Sequence, residues 1–129
     1  MRRILSIIVT LVMVAFIGNY ADAQSLMQTA KKAEQRAKEL KQQETSRYNA
    51  IVDSKDLYKY NQFINDYPRG SKTSEIRKRA QEVKLWNDAK NQNTVASYER
   101  YLNTTNYHWY DNDASQSIRS IKQKAEKEK

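Results

Sequence analysis

The sequence predicts an all-α fold, and three observations carry the prediction. Apolar residues recur at intervals of three and four, the spacing of one helical face, and strand-like alternation is absent. Breakers are scarce, with one proline and two glycines in 129 residues. An apolar pattern also returns after 38 residues, so that Tyr60 is matched by Tyr98 and Phe63 by Tyr101. The expected architecture is a long N-terminal helix leading into antiparallel helix pairs, about five helices in all, stacked so that each pair covers its neighbour's apolar face.

The chain opens with MRRILSIIVTLVMVAFIGNYADAQ. Arg2 and Arg3 form a positive start, Ile4 to Ile17 is almost unbroken apolar sequence, and Ala21-Asp22-Ala23 is an A-x-A cleavage site. That order of parts predicts a cleavable secretory signal peptide over residues 1–23. The apolar run is short for a membrane span, which needs roughly 20 residues. A lipoprotein signal needs a cysteine at the cleavage site, and the chain contains none. The expected location is therefore periplasmic or secreted. The net charge is +8, and loss of Arg2, Arg3 and Asp22 lowers it by one unit.

After the leader, Leu26, Ala30, Ala33, Ala37 and Leu40 recur at intervals of four and three. Ser25 is placed to cap this helix, which is expected to run from about Leu26 to Val52 with Lys, Glu, Gln and Arg supporting it on the other faces. Asp53-Ser54 offers a turn and a cap. Leu57, Tyr60, Phe63, Ile64 and Tyr67 then follow at helical spacing. Pro68 ends that helix and biases Tyr67 away from helical geometry. Gly70 is expected to supply a backbone conformation that other residues resist. The hydroxyls of Ser71 to Ser74 are expected to cap the next helix, with Glu75 in its first turn favourable to the helix dipole. Ile76, Ala80 and Val83 begin its stripe, and YPRGSKTS becomes the hinge between antiparallel helices. The last helix carries Ala114, Ile118, Ile121 and Ala125, with Asp113 as its expected cap.

The 38-residue register runs without a gap through several pairs. Tyr48 matches Trp86, Asn49 Asn87, Leu57 Val95, Ile64 Leu102, Ala80 Ile118 and Val83 Ile121. The chain divides accordingly into the signal peptide over 1–23, an N-terminal helix over 24–47 and a repeat domain over 48–129. The segment YNQFINDYPRGSKTSEIRKRA resembles the tetratricopeptide-like repeats of bacterial envelope proteins, such as outer-membrane assembly lipoproteins and Tol-Pal accessory proteins. The resemblance rests on Tyr60, Phe63-Ile64, Tyr67-Pro68, Gly70-Ser71 and Ala80. The second unit departs from it, with Thr105-Asn106 in place of Tyr-Pro, and the usual central Gly-Tyr pair is missing. The resemblance implies a binding scaffold, with an envelope protein as partner, and no catalytic residues.

Enzyme signatures are absent: the sequence has no Gly-rich phosphate loop, nucleophile elbow or HExxH. With no cysteine and one histidine, neither a metal site nor a cofactor is expected. Asp111-Asn112-Asp113 has the start of a calcium loop, but Gln116 stands where the loop needs glycine. NYHWYDND is the most unusual stretch. Tyr107, His108, Trp109 and Tyr110 stand together where the first unit has its proline turn. Exposed rings beside Asp and Asn suit sugar stacking; the alternative is that the rings fold back over the helix ends. Arg69, Lys72, Arg77 and Lys78 belong to a basic run that is either a solvated face or a docking patch for anions. These eight residues are the candidate binding positions. Peptidoglycan or another anionic polysaccharide is the second candidate partner, nucleic acid is not expected for an exported chain, and the alanine stripe leaves room for a homo-oligomer.

Overall fold

The computed structural model describes residues 20–129. Within them the chain forms five α-helices and no strand. They are α1 (Tyr20–Ile51), α2 (Leu57–Asp66), α3 (Thr73–Gln92), α4 (Val95–Thr104) and α5 (Asp111–Lys127). The chain separates into two compact units between Gln43 and Glu44, within α1. The signal-peptide expectation falls mostly on residues 1–19, which lie outside the described residues.

The N-terminal unit is the first part of α1. Its support is local: Glu34 and Lys38 pair at 3.4 Å one turn apart, and Gln35 donates to Glu39 at 3.2 Å. Such exposed i,i+4 pairs each contribute about 0.2–0.5 kcal/mol. The second unit holds the core. Here α2 and α3 form one helical hairpin, α4 and α5 form another, and α3 packs against α4. Tyr60, Phe63, Ile76, Ala80 and Val83 make the core of the first hairpin, flanked by Tyr48, Ile51, Leu57, Ile64 and Tyr67. Trp86, Ala89, Tyr98, Tyr101 and Ala114 make the second, flanked by Leu85, Leu102, Ile118 and Ile121.

The register reaches the backbone. Helices α2 and α4 start at Leu57 and Val95, and α3 and α5 at Thr73 and Asp111, each pair offset by the sequence period. Their N-caps, Asp56 and Thr94, keep the same offset. So do the left-handed residues before them, Lys55 (φ 52°) and Asn93 (φ 50°). Both are tied down by the matched tyrosines. The Tyr60 hydroxyl accepts from the Lys55 N–H at 3.0 Å, and the Tyr98 hydroxyl donates to Asn93 Oδ1 at 2.9 Å. The matched tyrosine thus reaches the left-handed residue in both hairpins, at the backbone in the first and at the side chain in the second.

Several local expectations are corrected. The α2 cap is Asp56, not the Asp53-Ser54 pair: its Oδ1 accepts from the N–H groups of Tyr58 and Lys59 at 2.9 and 3.2 Å. Helix α3 has no side-chain cap: its N-cap position is Lys72, whose ammonium cannot accept, and the Thr73 hydroxyl turns back to the Tyr67 carbonyl. Helix α5 starts after Tyr110, so Asp113 sits inside its first turn, where it favours the dipole without capping. Gly70 has no positive φ. It is needed for space: a Cβ there would lie 2.4 Å from Glu44 Oε1 and 2.8 Å from Thr73 Oγ1.

Candidate binding surface at the aromatic turn

The loop from Thr105 to Tyr110, between α4 and α5, is built on one face of α3. Glu75, Arg79, Glu82 and Trp86 follow at intervals of four, three and four, which puts them in one row. Each holds a part of the loop. The Tyr107 hydroxyl donates to Glu75 Oε1 at 2.8 Å. Arg79 lies under the rings of Tyr107 and Trp109, with its guanidinium carbon 5.2 and 5.6 Å from their centroids. Trp86 stacks on Tyr110 at 5.0 Å with the ring planes 6° apart.

Glu82 does most of the positioning. It is 2 % exposed. Its Oε1 accepts from the hydroxyls of Tyr101, at 2.8 Å, and Thr105, and its Oε2 accepts from the Asn106 N–H at 3.1 Å. The two hydroxyls accept in turn from the loop backbone: His108 N–H donates to Thr105 Oγ1 at 2.9 Å, and Tyr110 N–H donates to the Tyr101 oxygen at 3.0 Å. One carboxylate therefore satisfies three N–H groups of the loop, one directly and two through a hydroxyl. Burial, with the bond to Glu82, pushes the Tyr101 phenol up to about 12, although the bond from Thr105 pulls the other way.

The first hairpin shows the same device in simpler form. Glu44 precedes Glu82 by one period, is 8 % exposed, and takes the Lys72 N–H directly at 2.9 Å. Lys72 corresponds to Tyr110. No relay exists because Phe63 stands where the second hairpin has Tyr101, so the carboxylate must approach the turn itself. The absence of a side chain at Gly70 gives it room. His108, at the corresponding place in the second hairpin, carries a full side chain in a left-handed conformation (φ 57°). Its exposed ring pairs with Asp111 at 2.9 Å.

The rings of the loop part between Trp109 and Tyr110. Trp109 packs against the core of the first hairpin, and Tyr110 against the core of the second. Tyr107 stacks on Trp109 at 4.8 Å. Lys55 places its ammonium 5.3 Å from the Trp109 centroid and 5.8 Å from that of Tyr110. The Tyr107 hydroxyl, followed by Arg79, holds the Glu75 carboxyl below its ordinary range. Burial and the bond to Glu75 push Tyr107 up to about 12. Burial also raises Tyr110. Tyr107, Trp109 and Tyr110 are half-buried and His108 is exposed.

Of the basic candidates, Arg69, Lys72, Arg77 and Lys78 are all exposed around the α2–α3 turn and the first turns of α3. The Lys72 ammonium sits 5.2 Å from the Tyr48 ring, and Arg77 donates to the Pro68 carbonyl at 3.4 Å. The cations that reach the aromatic loop are Lys55 and Arg79. Arg79 is anchored by the Val52 carbonyl at 2.8 Å and Glu75 Oε1 at 3.0 Å. Sequence reasoning passed over Glu44, Glu82 and Lys55. The repeat register itself could have found the two glutamates, since each stands four residues before the matched pair Tyr48 and Trp86.

Among the described residues no group of three or more His, Cys, Asp and Glu is placed to hold a metal ion. No described helix is long and apolar enough to cross a membrane. Compared with protein-family models, curated proteins and solved structures, the chain matches none.

Proposed function

We propose that this chain is a non-catalytic protein-interaction scaffold of the tetratricopeptide-like kind, exported to a bacterial periplasm or envelope. The observation that carries the reading is the repeat of caps, left-handed residues, turn-closing glutamates and cores on one register. It is the construction expected of stacked helix-pair modules, whose use is to present a rigid surface. The aromatic loop fits this reading as a clasp, since Trp109 and Tyr110 are spent on the two cores. The glycan reading draws on a different observation: Tyr107 and Trp109 keep part of their ring surface open beside the cation of Lys55.

Trp109→Ala separates the two. As a clasp, Trp109 contributes packing to the first core and cation–π contact with Lys55 and Arg79, so its loss should cost about 1–3 kcal/mol and lower the melting temperature. A pull-down on peptidoglycan should then be the same for parent and variant. An unchanged melting temperature with lost peptidoglycan binding reverses the ranking and makes the glycan reading the leading one.

Export is tested separately. Expressed in a bacterial host, the chain should be recovered from the periplasmic fraction with an intact mass beginning at Gln24. Recovery there with Met1 to Ala23 retained removes the cleavable signal from the proposal.

A further inference from the structure

Four large apolar side chains are exposed among the described residues, and three of them stand on the N-terminal part of α1. Leu26, Met27 and Leu40 are 38 %, 50 % and 60 % exposed. Leu26 and Leu40 end a row that runs through Ala30, Ala33 and Ala37. The intervals are four, three, four and three, a strict seven-residue period. A single straight helix has 3.6 residues per turn and gains nothing from a 3.5 spacing; two helices wound together do.

The order of sizes along the row says what fits it. In a parallel pair each residue faces its own copy. Leucine would meet leucine at both ends and hold the helices apart, while three successive alanine layers between them would be left with gaps. Interhelical distance follows the side chains at the contact, so one pair cannot satisfy both demands. Parallel pairing would also set Arg36 beside Lys41 of the second copy, like charge against like. In an antiparallel pair whose two-fold axis passes between Lys31 and Lys32, Leu26 faces Ala37 of the second copy and Ala30 faces Ala33. Each of these four layers is then Leu with Ala or Ala with Ala, at a more even spacing. The flanking positions bring Arg36 beside Thr29 and Glu34 beside Met27, with no like-charge contact. From Leu26 to Ala37 the row is thus complementary to itself when reversed, which is what a two-fold interface between identical chains requires, and Leu40 lies beyond its end.

We infer that the N-terminal part of α1 is a self-association surface, and that its occupant is a second copy of this chain in an antiparallel two-helix seam from Leu26 to Ala37. This is independent of the scaffold reading.

Because the chain contains no cysteine, single thiols report the pairing directly. Chains carrying Leu26→Cys, mixed with chains carrying Ala37→Cys, should form a mixed disulfide under mild oxidation, and neither alone should form one efficiently. A homodisulfide from Leu26→Cys as the main product means parallel chains and overturns the inference. Equal yields in every combination mean that no specific seam exists and overturn it too. In sedimentation equilibrium the purified parent should approach the mass of a dimer as concentration rises. Ala33→Glu should stay monomeric at the same concentrations with its helical circular dichroism unchanged. A parent that stays monomeric at its highest soluble concentration, a parent mass above a dimer, or a dimer indifferent to Ala33→Glu sinks the proposal.

Discussion

Phe63→Ala is expected to lower the stability of the hairpin unit by about 3–5 kcal/mol, the usual cost of emptying a buried phenylalanine site. Phe63 has no exposed surface. It meets the Tyr67 ring at 5.0 Å and the edge of Tyr48 at 6.4 Å, within the core that also contains Ile76. These neighbours are carried by α1, α2, α3 and the connection after α2, so no single side chain can move in to fill the space. A domain of this kind holds about 5–15 kcal/mol in all. Thermal and urea melts followed by circular dichroism should therefore shift far below the parent, while Lys127→Ala, on the exposed end of α5, should melt with it. Equal melting of Phe63→Ala and the parent would refute the placement of α2 against α3.

Glu82→Ala should cost about 3 kcal/mol or more, although it removes a charged residue from a helix. The carboxylate accepts from Tyr101, Thr105 and Asn106 where water has almost no access. Each buried donor left without a partner costs about 1–3 kcal/mol, and alanine leaves several. The damage should spread beyond the site, because the backbone N–H groups of His108 and Tyr110 hang on the same hydroxyls. Trp86 and Trp109 are the two tryptophans of the chain, and both touch this loop. Loosening it should shift their fluorescence toward longer wavelengths at temperatures where the helices remain. Glu82→Gln keeps one acceptor oxygen and should fall between the parent and alanine. A Glu82→Ala protein that melts with the parent would show that the carboxylate is not the loop's anchor.

What the sequence made legible follows from which physical effect each residue expresses. Phe63, Tyr60, Ile76 and Tyr101 belong to apolar rows, and burial of such rows is what helical periodicity reports; all four have no exposed surface. The 38-residue register appeared in side chains and recurs in caps and backbone angles. Glu82 and Glu44 were not legible by the same means. Hydropathy assigns every glutamate to solvent, and these two are buried only because a turn presents donors to them. Gly70 was marked correctly and explained wrongly: its position in a turn pointed to backbone conformation, whereas its cause is a carboxylate 26 positions earlier, at Glu44. The candidate site divides in the same way. The rings of Tyr107, Trp109 and Tyr110 drew notice by composition. Of the cations that lie against them, Lys55 looked like ordinary surface charge and Arg79 like one more member of the basic run around Arg77 and Lys78. A cation over a ring is a contact between distant parts of the chain, and local pattern carries no trace of it.

Helix α3 carries both sides of this arrangement. With Ile76, Ala80 and Val83 it closes the first hairpin, and with Trp86 and Ala89 it opens the second. From the row between them, Glu75, Arg79 and Glu82 grip a loop whose Trp109 reaches back into the first core. Stacked repeats with a weak seam can fray from one end, one module at a time. Here the second module cannot leave without pulling a tryptophan out of the first, and the first cannot melt without dissolving the helix on which the second is folded. The two hairpins should therefore melt as one cooperative block, and hydrogen exchange is expected to show a single unfolding transition with similar protection from α2 to the first turns of α5.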